Sequence, residues 1–255
     1  MGALSGRRAL VTGASRGIGA AIARRLAHDG ADVVVTARST AAIEALAVEL
    51  GELGVRALAV PADMNDRDAL QALTERVGAE FGGLDILVNN AGVLPAGSRA
   101  ERLSWADWDA TMGLNLEAPF FLACRAKELM GDGGGVVVNN ASTAAYFPSR
   151  GLVAYNISKA ALIMMTRVLA LEWAREGVRV VGVAPGKIDT ELVQPILRWS
   201  EKHDVPINPQ RRIGVADEVA DLVAFLVSDQ AAYITGVTVP IDGGELLTVG
   251  SEPGR

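Results

Sequence analysis

The fold is set near the N-terminus by residues 8–26, which read Arg8-Ala9-Leu10-Val11-Thr12-Gly13-Ala14-Ser15-Arg16-Gly17-Ile18-Gly19-Ala20-Ala21-Ile22-Ala23-Arg24-Arg25-Leu26. An apolar run leads into a glycine-rich turn, and Ile22 and Leu26 follow at helical spacing. Glycines let the backbone approach a pyrophosphate closely, and a helix N-terminus offers N–H groups and a positive dipole end. A glycine-rich turn also occurs as plain strand-to-helix punctuation, but its βαβ context predicts a dinucleotide cradle.

Beyond this turn, β-rich runs alternate with helical stretches rich in Ala and Leu. Predicted strands cover 33–36, 55–60, 84–88, 136–139, 178–183 and 238–241, and predicted helices include 40–53, 66–81 and 152–175. The strands are continuously apolar, which indicates a parallel sheet covered on both faces. We predict an α/β fold, with one doubly wound, Rossmann-like domain over residues 1–255 and a mostly parallel seven-stranded sheet. Residues 191–210 have three prolines and no clear period, which predicts a substrate flap.

The composition excludes several functional classes. Among 255 residues, 24 Lys and Arg against 30 Asp and Glu give a net charge of -6, which argues against a nucleic-acid partner. Cys124 is the single cysteine, and the two histidines, His28 and His203, are far apart, so no metal site is predicted. The first strand begins within a few residues of Met1, which leaves no room for a cleavable signal. We expect a cytoplasmic protein with no membrane association.

A second signal is the set Ser142, Tyr155 and Lys159. Tyr155 and Lys159 are separated by four positions, so on a helix they share one face with Cβ atoms roughly 5–6 Å apart. A cation at about 4 Å stabilises a charge by roughly 4 kcal/mol at an effective dielectric near 20, enough to lower a phenol pKa by about 3 units. Alone, this spacing is weak evidence, because such a lysine is usually a solvated charge. Together with the glycine turn, it predicts a proton-transfer site.

These motifs resemble the short-chain dehydrogenase/reductase family over nearly the whole chain. Thr12, Gly13, Gly17 and Gly19 match its glycine motif, and residues 89–92 match its Asn-Asn-Ala-Gly segment. The resemblance implies a catalytic tetrad of Asn115, Ser142, Tyr155 and Lys159. It also implies cofactor contacts from Gly13, Ser15, Arg16, Gly17, Ile18, Gly19, Asp63, Asn90, Ala91, Gly92, Tyr155, Lys159, Pro185, Gly186, Ile188 and Thr190.

The implied mechanism is hydride transfer between a nicotinamide and a carbonyl or carbinol carbon. Tyr155 would act as general acid–base, and Ser142 would stabilise charge on the same oxygen. Lys159 would lower the Tyr155 pKa and hold the nicotinamide ribose, while Asn115 would anchor a water chain. Alternatively, Asn115 is a helix-kink residue, or Ser142 is a strand-end hydroxyl and Thr143 the acting group.

The end of the second predicted strand indicates NADP(H) as the cofactor. NAD-preferring sites usually place an acid there, whereas this chain has Thr36-Ala37-Arg38. Arg38 offers a planar fork to a 2′-phosphate, and Arg16 could add a second contact. The alternative is that both arginines are solvated surface charges. Asp63 resembles an adenine contact of the family, or is a turn aspartate.

The substrate is expected to be a small-molecule ketone or secondary alcohol. Its predicted pocket is largely apolar and comprises Leu94, Ala144, Tyr146, Val193 and Trp199, although these residues could also be core. A 3-oxoacyl-carrier-protein reductase is the alternative, but the basic cluster expected for an acidic carrier is mostly missing from residues 129–135 and 175–177. A catalytically silent NADP-binding scaffold is the alternative from another class.

The predicted helix 152–175 also bears on assembly. Leu162, Ile163, Met164 and Met165 give it more apolar surface than one sheet contact covers, and surplus of this kind marks interfaces. The family resemblance implies a homotetramer.

Overall fold

Seven parallel strands form one sheet in the computed structural model, which describes residues 2–189, 202 and 207–248. The strand order is β3-β2-β1-β4-β5-β6-β7, and every neighbouring pair is parallel. The strands are β1 Arg8–Thr12, β2 Asp32–Thr36, β3 Ala57–Ala59, β4 Ile86–Asn89, β5 Gly135–Asn140, β6 Val178–Pro185 and β7 Thr238–Ile241. The predicted α/β, doubly wound fold is confirmed, and the sheet is wholly rather than mostly parallel.

Helices connect the strands and cover both faces of the sheet. They are α1 Gly17–His28, α2 Thr40–Gly51, α3 Arg67–Phe81, α4 Trp105–Met112, α5 Ala118–Met130, α6 Val153–Trp173, α7 Ala216–Val227 and the short α8 Glu245–Thr248. A π-helical turn, Gly113–Glu117, joins α4 to α5. The predicted helix 40–53 ends two residues early, and the last residues of 152–175 continue as a 3-10 turn, Ala174–Glu176.

The core has two layers, because successive strand residues point to opposite faces of the sheet. On one face, α1, α2 and α7 pack against side chains such as Val11, Val33 and Val88. On the other face, α3, α5 and α6 pack against Leu10, Val34, Leu87 and others. Within the described ranges, no helix has the length and apolar character needed to cross a bilayer.

A buried chain of polar side chains fixes α6 to the centre of the sheet. The Asn89 amide donates to Asn139 Oδ1 at 3.0 Å, across the β4–β5 pair. The Asn139 amide donates to Thr166 Oγ1 at 2.9 Å, and the Thr166 hydroxyl donates to the Leu162 carbonyl of the same helix. Burying a polar group without a hydrogen-bond partner costs free energy. These hydrogen bonds therefore favour one position of α6 on the sheet.

An ion pair joins β1 to the residue that precedes β4. Asp85 Oδ2 accepts from the backbone N–H and from Nε of Arg8, each at 2.8 Å, and Asp85 Oδ1 accepts from Arg8 Nη2 at 3.2 Å. Burial alone would raise the pKa of Asp85, but the hydrogen bonds and charge of Arg8 outweigh it and lower that pKa.

We expect Asp85→Asn to lower the free energy of unfolding at pH 7 by about 1–3 kcal/mol, because charge-assisted hydrogen bonds are lost. Since the folded pKa of Asp85 lies below its unfolded value, this contribution is present above the unfolded pKa and is lost as pH falls through the folded one. The difference in the free energy of unfolding between the wild type and Asp85→Asn, measured by urea titration, should therefore become smaller below pH 4. Glu49→Gln is the matched control, because its pair with Arg24 is half exposed and should contribute less than about 1 kcal/mol. Equal losses for both variants would contradict the assignment.

Candidate active site

A cavity of about 760 Å³ lies beyond the carboxyl ends of the central strands, where the strand order reverses between β1 and β4. Its size suits a small-molecule or cofactor site. The predicted residues that line it are Gly13, Ser15, Arg16, Gly17, Ile18, Gly19, Arg38, Asp63, Asn90, Ala91, Gly92, Leu94, Ser142, Tyr155, Lys159, Pro185, Gly186 and Ile188.

Six other predicted residues are placed differently. Asn115, Ala144 and Tyr146 are described but do not line the cavity. Thr190, Val193 and Trp199 lie outside the described residues, as do 191–201 and 203–206 of the predicted flap. The last part of that segment, 207–210, is described and lies against the end of β7: the Gln210 N–H donates to the Gly243 carbonyl, and Asn208 is buried.

The glycine turn has no room for side chains. Gly13 has a positive φ of 65°, and a Cβ on it would lie 2.8 Å from Ala91 Cα. A Cβ on Gly19 would lie 2.3 Å from the Gly13 carbonyl oxygen. The first turn of α1 therefore packs directly on the backbone of the glycine turn, and the side chain of its N-cap residue, Arg16, makes no capping hydrogen bond. This arrangement fits the pyrophosphate of a dinucleotide, which backbone N–H groups at a helix N-terminus bind well.

Two polar side chains join the glycine turn to the turn after β4. The Thr12 hydroxyl donates to the Val88 carbonyl and accepts from the N–H groups of Asn90 and Ala91, both at 2.9 Å. The Asn90 amide donates back to the Thr12 carbonyl at 2.9 Å. The Asn140 amide then donates to Asn90 Oδ1 at 2.8 Å, which extends the connection to the end of β5. The walls of the cavity are thus fixed to one another.

Ser142, Tyr155 and Lys159 meet at the end of this cavity. Ser142 lies just after β5, whereas Tyr155 and Lys159 lie on the first turns of α6. Lys159 is only 5 % exposed, and its ammonium donates to the Asn140 carbonyl at 2.7 Å. Burial raises the pKa of Tyr155, and a hydrogen bond with Ser142 partly offsets that rise. Burial also lowers the pKa of Lys159 to about 8.

The expected lowering of the Tyr155 pKa by Lys159 is not found. The Lys159 ammonium donates to the Asn140 carbonyl and lies 5.9 Å from the centre of the Tyr155 ring, and no effect of its charge on the Tyr155 pKa is found. Both side chains are desolvated, which disfavours the charged form of each. Burial is therefore the largest influence on the pKa of each group.

Asn115 lies in the π-helical turn and is completely buried. Its Oδ1 accepts from the Val93 N–H at 2.8 Å, and its amide donates to the Val93 carbonyl at 3.0 Å and to Ser158 Oγ at 3.1 Å. Asn115 thus lies in an irregular part of a helix, which agrees with the alternative prediction of a helix-kink residue. Its hydrogen bonds also connect the turn after β4 to α6. Its role in a water chain stays a prediction.

The geometry favours Ser142 over Thr143. Ser142 lines the cavity, and its hydroxyl oxygen accepts from the Ala144 N–H at 3.1 Å. Thr143 is buried and donates to the Glu245 carboxylate at 3.2 Å. Ala144 and Tyr146 follow closely after Ser142: the Ala144 carbonyl accepts from the Asn156 amide, and the Tyr146 hydroxyl lies 3.5 Å from the Thr238 carbonyl. Their place in a substrate pocket stays a prediction.

Comparison with known proteins agrees with this architecture. The family model described as Enoyl-(Acyl carrier protein) reductase matches residues 13–245. D-threitol dehydrogenase of Mycolicibacterium smegmatis is 41% identical over 246 residues, which cover 94% of this chain and 93% of that protein. A short chain dehydrogenase from Burkholderia cenocepacia, solved in complex with NADP, superposes with a TM-score of 0.88 at 41% identity, covering 95% of this chain and 98% of that one. A blue fluorescent protein from a metagenomic library, solved in complex with NADPH, superposes with a TM-score of 0.88 at 37% sequence identity. The match covers 94% of this chain and 98% of that one.

The chain belongs to the short-chain dehydrogenase/reductase family. It is therefore an oxidoreductase.

The polar residues that line this short-chain dehydrogenase/reductase site and were not predicted are Ser39, Asn65, Asp189 and Asn140, of which Asn140 lies at its centre of hydrogen bonding. Asn140 lines the cavity, its carbonyl accepts from Lys159 and its side chain holds Asn90. A second amide at the end of an otherwise apolar strand, directly after Asn139, was the available signal. Among the described residues, no three His, Cys, Asp or Glu side chains cluster as metal ligands.

The Lys159 pKa gives a prediction on stability. An unfolded lysine titrates near 10.5, so between about pH 8 and 10.5 the unfolded chain binds more protons at this residue than the folded chain. The cost of burying the ammonium is thus fully present below pH 8 and disappears as pH rises. We expect the free energy of unfolding of the wild type, relative to Lys159→Met, to rise by on the order of 1–3 kcal/mol between pH 7 and pH 10.

Urea unfolding of both proteins at the two pH values measures this change. Lys127→Met, which removes a lysine from a surface pair with Glu176, corrects for the loss of one positive charge. A difference that does not change with pH would show that Lys159 is not desolvated as described.

Proposed function

We propose that this protein transfers a hydride between NADP(H) and the carbonyl or secondary alcohol carbon of a free small molecule. The observation that carries the proposal is the meeting of Ser142, Tyr155 and Lys159 at one end of a cavity whose other wall is the glycine turn. This combination brings a proton donor, a hydroxyl and a cation beside a dinucleotide cradle, and carbonyl reduction needs all three.

Bound NADPH would supply the hydride, and the remaining chemistry belongs to the chain. Tyr155 gives its phenolic proton to the substrate oxygen in reduction and removes a proton from it in oxidation. Because burial raises its pKa, Tyr155 is protonated at neutral pH and is ready to donate, which supports reduction. Ser142 Oγ accepts from the Ala144 N–H and is also hydrogen-bonded to Tyr155, so its hydroxyl lies beside the proton donor, where it can stabilise charge on the substrate oxygen. Lys159 holds the ribose and counters negative charge on Tyr155.

The residues beyond β2 support NADP(H) as the cofactor. Arg38 is exposed and lines the cavity, while Ala37, at the position of the usual acid, is buried and offers no acceptor to a ribose hydroxyl. Asp63 also lines the cavity, and one of its carboxylate oxygens accepts from the Asn65 N–H as in a turn. Two related structures were solved with NADP or NADPH bound, which agrees with this choice.

Charge supports a free small molecule over a carrier-linked substrate. Two cations close to residues 129–135 and 175–177 are paired with acids, Arg125 with Glu128 and Lys127 with Glu176, and Arg175 is the single cation within these two segments. An acidic carrier would therefore meet little net positive charge there. The related D-threitol dehydrogenase is named for a small polyol, and Leu94 gives the cavity an apolar wall that suits a hydrocarbon ketone. The predicted cytoplasmic location stays a prediction.

The proposal is tested by following NADPH absorbance with a panel of ketones, aldehydes, polyols and one carrier-linked 3-oxoacyl substrate. We expect turnover of a free compound, and a loss of at least about a hundredfold for Tyr155→Phe with NADPH binding within a few-fold of wild type, because only a proton donor is removed. Tyr233→Phe is the control, since Tyr233 is fully exposed. A kcat/KM at least a hundredfold higher for the carrier-linked substrate would favour a 3-oxoacyl-carrier-protein reductase. An absence of turnover with intact NADPH binding would favour a catalytically silent scaffold.

The cofactor prediction is tested separately by fluorescence titration. NADPH should bind at least tenfold more tightly than NADH, about 1.4 kcal/mol, because Arg38 can pair with the 2′-phosphate. Arg38→Asp should reverse this preference, whereas Arg76→Asp, on the exposed face of α3, should leave it unchanged. Equal affinities of the wild type for the two nucleotides would refute the assignment.

We further propose that the protein is a homotetramer, but the apolar surface available for assembly differs from the one predicted. Leu162 and Ile163 are buried within the chain's own core and are not surplus. The exposed apolar side chains of this region are instead Met164, together with Ile157, Val168 and Leu171 on α6 and Phe120 on α5. By helical spacing, the four side chains on α6 lie on one face and form an apolar helical surface of the kind that marks interfaces.

Light scattering at micromolar concentration should give the mass of a tetramer. Leu171→Glu should lower that mass, because it places a charge on the apolar helical surface, where Leu171 is 82% exposed. Val48→Glu, an equally polar change at an exposed position of α2, should not. A monomer mass for the wild type would refute the proposal.

A further inference from the structure

A buried carboxylate near the end of the described chain contacts both turns that flank the reacting end of the cavity. Glu245, the first residue of α8, has a side chain only 12% exposed. One carboxylate oxygen accepts from the Thr143 hydroxyl at 3.2 Å, and the other is paired with the Lys187 ammonium. Thr143 directly follows Ser142 after β5, and Lys187 directly follows Pro185 and Gly186 at the end of β6.

The position of Glu245 is itself fixed by the end of β7. Asp242 accepts from the N–H groups of Gly244 and Leu246 at 2.9 and 2.8 Å, and its carbonyl accepts from the Glu245 N–H. The carboxylate also lies against bare backbone, because a Cβ on Gly186 would be 2.9 Å from Glu245 Oε2. Glu245 thus contacts the two turns by a hydrogen bond, an ion pair and direct packing.

We propose that Glu245 is a positioning residue for hydride transfer, which holds the Ser142 turn and the Pro185–Gly186 turn at a fixed separation. This inference rests on the proposed function, in which Ser142 binds the reacting oxygen and Pro185–Gly186 borders the nicotinamide. The separation of these turns then sets the distance between the substrate carbon and the hydride donor. A misplacement of about 1 Å can cost about a hundredfold in rate.

The two contacts of Glu245 serve different turns, and substitutions can separate them. Thr143→Val keeps the side-chain shape but loses the hydroxyl, whereas Thr143→Ser keeps the hydroxyl. Glu245→Gln keeps an acceptor for Thr143 but loses the charge that pairs with Lys187, and Glu245→Ala loses both contacts. Because the contacts act through one carboxylate, Glu245→Ala combined with Thr143→Val should cost no more than Glu245→Ala alone.

The experiment measures kcat and KM for the best substrate of the panel, together with NADPH affinity. We expect Glu245→Ala and Thr143→Val to lower kcat at least tenfold with KM and NADPH affinity within about threefold, and Thr143→Ser to restore kcat, since the lost interaction orients groups rather than binds them. Glu218→Gln is the matched control, because Glu218 forms an exposed ion pair with Arg212, does not line the cavity and has no hydrogen bond to Thr143 or Lys187. A lowered melting temperature with unchanged kcat would overturn the proposal and leave Glu245 a purely structural contact.

Hydrogen exchange in the protein without nucleotide tests the same contacts independently of turnover. The Tyr146 N–H donates to the Thr143 carbonyl in one turn, and the Gly186 N–H donates to the Ile241 carbonyl in the other. Glu245→Ala should speed exchange in both turns, Thr143→Val only in the first, and Glu218→Gln in neither. The exchange rates test the role of Glu245 even if the substrate panel gives no turnover. Unchanged exchange in Glu245→Ala would overturn the inference about Glu245. A lack of turnover alone would count against the proposed function.

Discussion

The hydrogen bond from the buried Lys159 ammonium to the Asn140 carbonyl is the contact on which the rest of the site depends. A buried cation is tolerated only where polar groups surround it, so α6 must lie where the end of β5 can meet Lys159. The chain Asn89–Asn139–Thr166 sets the same helix on the sheet two turns farther along. With α6 fixed at both places, Tyr155 is brought to Ser142 without a flexible element between them.

The same constraint connects the proton-transfer end of the cavity to the dinucleotide end. Asn140 contacts Lys159 through its carbonyl and Asn90 through its side chain, and Asn90 in turn holds the glycine turn through Thr12. These residues come from strands that are adjacent only because the strand order reverses at β1 and β4. The switch point therefore supplies both an opening for the cofactor and a short polar path between its two ends.

Local patterns predicted the fold and the spacing of the site, but not its environment. Apolar runs predicted the strands, and helical periods predicted the helices. The spacing of Tyr155 and Lys159 predicted that both side chains lie on one face of α6. Burial depends on tertiary packing, so the sequence could not reveal that desolvation dominates the Tyr155 pKa, or that Leu162 and Ile163 face the chain's own core. The sequence also gave no signal for Glu245, because its partners Thr143 and Lys187 are 102 and 58 positions away.

The opposite pKa shifts of Tyr155 and Lys159 have a common physical result. Burial favours the neutral phenol, and a Lys159 pKa of about 8 leaves most of the ammonium charged at neutral pH. The reacting end of the cavity then carries a proton donor beside one buried positive charge. In the proposed reduction, negative charge would develop on the substrate oxygen and pass to Tyr155 as the proton leaves, so the cation would stabilise the transition state more than the neutral ground state. The desolvation that costs the folded chain stability is therefore the same desolvation that would make this charge effective in the proposed catalysis.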